Sequence, residues 1–257
     1  MSETEYAIEV TNLVKDFRVY HRRSSSLKGN AAELIRRTVA KEQKTPVDIR
    51  RALDGVSLRI NRGESVGLIG RNGSGKSTLL SILSRVYLPT EGEARVRGRM
   101  MSLLELGAGF HPELTGNDNI FFNGAMMGLS EEDILNRYDA VLAFSGLDPR
   151  TMDLPVRMYS SGMQLRLGFS IAVHLDADVL LIDEGLAVGD EGFQEKCFAK
   201  IEEFRDTGKT ILMVTHELDH IERLGHRVVW LNKGKIVMDG DVGEVLEAYR
   251  ADFKVQG

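Results

Sequence analysis

Gly70-Arg71-Asn72-Gly73-Ser74-Gly75-Lys76-Ser77, followed by Thr78, is the stretch on which the fold turns. The apolar run SVGLI precedes it, and the helix-forming run STLLSILSR begins at its last serine. A buried strand, a glycine-rich turn and a helix in that order is the setting a phosphate-binding loop requires. Glycines let the backbone curl so that its N–H groups point inward at phosphate oxygens. The helix N-terminus adds its dipole. Lys76 would reach the β- and γ-phosphates of a nucleotide, and the Ser77 hydroxyl would ligate Mg²⁺. An ordinary Gly/Ser turn ahead of a helix is the bland alternative. Gly70, Gly75, Lys76 and Ser77 fill all the fixed positions between the right flanks, which argues against it. The loop predicts ATP binding by Gly70, Asn72, Gly73, Ser74, Gly75, Lys76, Ser77 and Thr78.

Two further strand ends extend that chemistry. The run VLLI at 179–182 ends in Asp183-Glu184. Asp183 suits the acid that holds Mg²⁺ through water. Glu184, one residue on, suits a general base for the attacking water. Many strands end in acids, so the pair gains meaning only beside the cradle. His216 follows the run ILMVT. A lone histidine is more often structural, but at that strand end it is a candidate γ-phosphate contact.

Strand and helix signals alternate along the chain, which predicts an α/β fold, a mostly parallel sheet with helices on its faces. Strands are expected at 6–10, 52–60, 65–70, 179–182 and 210–214. Residues 117–175 read as mainly helical. A hairpin is expected at 227–232 and 235–239 around Lys233-Gly234, then a helix at 242–249. Residues 18–50 interrupt the pattern. Within them Asn30 and Glu33 look like the cap and third residue of a short helix.

At 257 residues the chain can bury one large core. No apolar run approaches the roughly 18 residues of a membrane span. The N-terminus lacks the basic start and apolar core of a signal peptide, so secretion is not expected. Cys197 stands alone, which excludes an internal disulfide. A net charge of -5 argues against a general nucleic-acid binder. Residues 21–51 are the exception, with nine Lys/Arg against three acids. They form either a solvated loop or a patch for anionic lipid heads or a phosphorylated substrate.

With the cradle and the acid strand in place, the chain resembles the nucleotide-binding domain of ABC transporters. Tyr159-Ser160-Ser161-Gly162-Met163-Gln164 is similar to the family's signature motif, LSGGQ, with Tyr, Ser and Met as departures. A serine hydroxyl and bare N–H groups at a helix start can bind the γ-phosphate held by a second subunit; an ordinary Ser-rich helix cap is the alternative. Asp190 matches the D-loop aspartate, and Thr215-His216 resembles the switch histidine. The resemblance places the adenine-stacking aromatic at Phe17, with Tyr20 close enough to compete. The Q-loop glutamine is absent. Glu105 or Leu106 stands in its place, and a carboxylate at Glu105 could approach the metal.

LLELGAGFHPELTG, YSSGM and DEGLAVGD together resemble one subfamily, the ATPase subunits of bacterial polysaccharide exporters of the Wzt and TagH type. The resemblance implies a P-loop NTPase of ABC ATPase fold, with a RecA-like core, an antiparallel β part and a helical signature subdomain at about 117–175. It implies one domain over 1–251, a basic insertion at about 18–50 and a tail at 252–257. It also implies ATP hydrolysis with Mg²⁺, a homodimer, separate permease subunits in a 2+2 complex, and a polyprenyl-diphosphate-linked glycan as cargo. No nucleic-acid partner is expected. The location implied is peripheral, at the cytoplasmic face of the bacterial inner membrane. A motor for another cargo, or a non-transport ABC ATPase acting on ribosomes or DNA, remains as an alternative.

Overall fold

The computed structural model describes residues 6–20, 47–103, 109–183, 190–215 and 217–256, with backbone alone at 20, 47 and 253–256. Two sheets frame it. In the first, β1 (Tyr6–Tyr20) lies between β2 (Val47–Asn61) and β4 (Glu91–Val96), antiparallel to both. The second has β3 (Ser65–Ile69) near its centre, in the order β5 (Met100–Ser102), β6 (Val179–Ile182), β7 (Thr210–Val214), β3, β8 (Arg227–Asn232) and β9 (Lys235–Gly240). Neighbours in it are parallel except β8 and β9, which form the expected hairpin. Strands β3, β6 and β7 are buried throughout. Buried parallel strands call for such unbroken apolar runs.

Helix α1 (Lys76–Leu83) follows β3. Leu79, Leu80 and Leu83 on it join Leu13, Leu53, Leu68 and Val229 in a core between the two sheets. Each fully buried leucine there contributes about 1.5–3 kcal/mol. Helices α2 (Gly116–Met126), α3 (Glu131–Ser145), α4 (Pro149–Met152) and α5 (Ser161–His174) gather around Ile120, Ile134, Met152 and Leu167. Thr115 with Asp118, and Ser130 with Asp133, are reciprocal capping boxes that fix where α2 and α3 begin. Helices α6 (Glu191–Asp206), α7 (Leu218–Leu224) and α8 (Val242–Gln256) complete the fold.

Three expectations need correction. The strand expected at 6–10 continues to Tyr20, and the one expected from 52 starts at Val47, so the two form a ribbon paired from Tyr6↔Asn61 to Tyr20↔Val47. Its outer end carries Arg18, Asp48, Arg50 and Arg51, and both strands are bent by register shifts. An exposed ribbon needs no apolar face, so alternation disappears there. The interruption therefore shrinks to residues 21–46, which lie outside the described residues, together with the helix expected at Asn30–Glu33. Strands β4 and β5 were not foreseen, because neither is fully buried. The last helix runs past Tyr249 to Gln256, through most of the expected tail.

Candidate nucleotide-binding site

The loop between β3 and α1 is clamped on both sides. Gly70 has φ 150 and Gly75 has φ 113, conformations in which a side chain is strained. A Cβ on Gly75 would stand 2.6 Å from the Ala52 carbonyl oxygen and 2.8 Å from Leu53 Cδ2. A Cβ on Gly70 would collide with the Leu231 carbonyl. Strand β2 thus presses on one end of the loop and the end of β8 on the other. The Gly234 N–H donates to the Ser74 carbonyl at 2.8 Å, tying the loop to the β8–β9 turn. Lys76 Nζ donates back to the Gly70 carbonyl at 2.7 Å and the Arg71 carbonyl at 3.4 Å, spanning the loop's mouth. Ser74 Oγ is buried and has no hydrogen-bond partner among the described residues.

In front of the loop lies a cleft of about 430 Å³. Asn72, Gly73, Gly75, Lys76, Ser77 and Thr78 form its floor. Phe17, Val19, Arg50, Arg51 and Ala52 form a wall, all from the β1–β2 ribbon. The Phe17 ring is held edge-on to Tyr87, with centroids 5.4 Å apart at 79°. Lys15 Nζ sits 5.2 Å from the Phe17 centroid and 5.5 Å from that of Tyr87. An aromatic wall above a floor of backbone amides suits a purine with a phosphate tail. The competing Tyr20 is described in its backbone only. Val19, Arg50, Arg51 and Ala52 were missed from sequence, because only the pairing of β1 with β2, Phe17↔Arg50 among its pairs, brings them to the cleft.

Sheet register brings the remaining elements to the same rim. Leu68 pairs with Val214, and Ile182 with Met213. Asp183, Thr215 and Gly70 each lie one or two residues beyond, at the carboxyl ends of adjacent strands β6, β7 and β3, where open α/β sheets bind ligands. Asp183 is half-buried and Ser77 exposed. These are oxygen donors, the set a hard divalent cation takes, so Mg²⁺ fits. Glu184, His216 and Glu105 lie outside the described residues.

At the start of α5 the structure separates roles that the sequence motif runs together. Tyr159 is buried among the helices. Its hydroxyl donates to the Thr151 carbonyl at 2.8 Å, and burial pushes its pKa up to about 12. Met163 packs on the same cluster, and the Gln164 amide donates to the Val156 carbonyl at 3.2 Å. Ser160 caps the helix, accepting from the Met163 N–H at 3.3 Å. Ser160 and Ser161 are exposed. A Cβ on Gly162 would meet nothing nearer than Ser160 Oγ at 4.0 Å. Packing among the described residues does not require this glycine. Asp190 caps α6, accepting from the Phe193 N–H at 2.9 Å, and its other oxygen pairs with Arg166 of α5.

Known proteins resemble this chain in sequence and in architecture. The model of the ABC transporter family matches residues 53–187. The chain belongs to that family. It is 40% identical to an O-antigen export system ATP-binding protein of Klebsiella pneumoniae, over 96% of this chain and 98% of that one. A Myxococcus xanthus protein of the same description is 43% identical over 97% of this chain, which spans 57% of that longer relative. A teichoic acids export ATP-binding protein of Lactiplantibacillus plantarum is 39% identical over 99% of this chain and 68% of its own length. Among solved structures, the ATP-binding subunit of an ABC transporter superposes with TM-score 0.72 at 22% identity, covering 95% of this chain and 93% of its own. An ATP-binding cassette dimer in a post-hydrolysis state with ADP and phosphate gives 0.69 at 22% identity, over 91% and 98%. The fold is that of the ABC ATPases.

Proposed function

We infer that this chain is the ATP-hydrolysing motor subunit of an exporter for lipid-linked polysaccharide. The observation that carries the reading is the clamped loop under the Phe17 wall, with Lys76 across its mouth. The O-antigen and teichoic-acid export relatives support the cargo class.

In this reading adenine stacks on Phe17, and the amides from Gly70 to Thr78, that of Ser74 among them, surround the phosphates together with the Asn72 side chain. Lys76 exchanges its carbonyl partners for β- and γ-oxygens, a charge-assisted contact stronger than the one it leaves. Ser77 and Asp183 would hold Mg²⁺, with Glu105 as a further candidate ligand; when bound, the ion would offset the charge on the β- and γ-phosphates. Glu184 takes the proton of the attacking water, and His216 contacts the γ-phosphate. A second copy of the chain supplies Ser160, Ser161 and Gly162 to that phosphate, with Asp190 near the dimer seam. Tyr159, Met163 and Gln164 support that edge from behind. The open space before Gly162 supports an approach from outside the protomer.

Among the described residues no helix is long and apolar enough to cross a membrane. The reading also adds two permease subunits and a peripheral place at the cytoplasmic face of the inner membrane, in keeping with the export that the relatives' names describe. The test is reconstitution. The chain should hydrolyse ATP only with a divalent cation and co-purify from membranes with its permease, and its deletion should stop surface delivery of a lipid-linked glycan. Absence of ATPase activity with the permease present, or normal glycan export after deletion, would sink it.

A further inference from the structure

Two consecutive arginines, Arg50 and Arg51, line the cleft wall, and the structure treats them differently. Arg51 is committed to neighbouring carboxylates. Its Nε and Nη2 donate to Asp16 at 2.9 and 3.1 Å, and its Nη1 to Asp54 at 3.0 Å. Asp54 is in turn 3.0 Å from Lys235. Those acids hold the Arg51 cation well above its usual range, and this knot fastens the ribbon to the β8–β9 hairpin.

Arg50 makes no hydrogen bond or ion pair with a described residue. It is the direct cross-strand partner of Phe17, so the two side chains share the ribbon face that looks into the cleft. Its position along the loop is set by close packing. Ala52, two residues on and on the same face, lies against Gly75. Arg50 accordingly lies beside Gly73, where its Nη2 would be 3.6 Å from an added Cβ. Asp48, two residues back, already has a partner of its own. An uncommitted guanidinium thus lies between the aromatic wall and the phosphate floor, beside a loop that presents bare amides. Guanidinium groups bind phosphate oxygens bidentately and keep their charge at every working pH.

We propose that Arg50 is a nucleotide-binding residue that contacts the polyphosphate from the ribbon side, opposite Lys76. The inference rests on the nucleotide-site reading above. It divides the wall in two: Phe17 recognises the base, and Arg50 counts phosphates. The ribbon would then gain order with nucleotide bound, because Arg50 ties its free edge to the loop.

The test is equilibrium binding of ATP, ADP and AMP to the full chain and to Arg50→Ala, Arg50→Lys and Lys76→Ala, with thermal melting without nucleotide as a folding check. Losing one charged phosphate contact should weaken ATP and ADP about tenfold or more. AMP binding should change far less, and Arg50→Lys should recover a large part of the ATP affinity. Parent-like ATP affinity in Arg50→Ala would overturn the proposal. Equal losses for ATP and AMP would overturn it too, since Arg50 would then only shape the purine wall. If instead Lys76→Ala binds ATP like the parent, the nucleotide-site reading itself falls and takes this inference with it. Loss in Lys76→Ala with none in Arg50→Ala would remove Arg50 alone.

Discussion

The phenol oxygen of Tyr159 occupies the space that a Cβ on Gly116 would fill, so the first turn of α2 and the residue before the cap of α5 are packed as a lock. Met152 closes the same space, its Sδ standing 3.0 Å from that position. Gly116→Ala should overpack this point and destabilise the chain by about 1–3 kcal/mol. Tyr159→Phe removes one donor from the Thr151 carbonyl, which keeps the Leu154 N–H at 3.0 Å, and should cost about 0.5–1.5 kcal/mol. The double variant should be less destabilised than the sum, since phenylalanine removes the clashing oxygen while Met152 still crowds the methyl. Denaturant unfolding of the four proteins measures this coupling. Simple additivity would mean the two residues do not share the space.

Phe17→Ala should weaken ATP and AMP to a similar extent, because stacking acts on the base both share. Stacking of a base on an aromatic is worth about 1–3 kcal/mol, so a loss of roughly tenfold is expected. Tyr87 also loses its edge contact and Lys15 a ring beneath its amine, so a small fall in melting temperature should accompany it. Competition binding with both nucleotides is the measurement. Unchanged affinity would move the base to Tyr20.

Glu184→Gln should bind ATP and lose hydrolysis by about 10² or more, since the amide keeps the shape but cannot accept the proton. ATP should then accumulate in a stable dimer, visible by size-exclusion with Mg²⁺. Turnover at the parent rate would remove Glu184 as the base and shift attention to His216.

What was legible in the sequence follows from how strongly each segment is constrained. Gly70 and Gly75 are each required by a backbone carbonyl or side chain pressed against them, so the loop wrote a pattern that can be read without a structure. The buried strands β3, β6 and β7 are apolar on both faces and announced themselves in the same way. The β1–β2 ribbon did not, because its outer half faces solvent and tolerates Arg18, Asp48, Arg50 and Arg51. All of the cleft wall except Phe17 was hidden for that reason. Ser160 and Gly162 stood out in sequence beside Tyr159 and Met163, but only the packing sets Tyr159, Met163 and Gln164 behind as support and leaves Ser160 and Ser161 exposed.

That division leads to the complementation experiment. Ser160 caps α5 and is exposed, and the space before Gly162 is open, so an arginine at 160 should fold and should leave the protomer's own cleft intact. Its helix loses a cap, at about 1 kcal/mol. Ser160→Arg should therefore bind ATP as a monomer with parent affinity and fail to close as a dimer, because the new cation blocks the surface a second protomer must approach. Lys76→Ala has the opposite lesion, a damaged cradle and an intact signature edge. In a heterodimer of the two, one composite site combines both lesions and the other has neither. Mixing two inactive variants should thus restore at most half of the parent ATPase rate, with one competent site per dimer. Full activity in the mixture would contradict a site shared between subunits, as would full activity of Ser160→Arg alone.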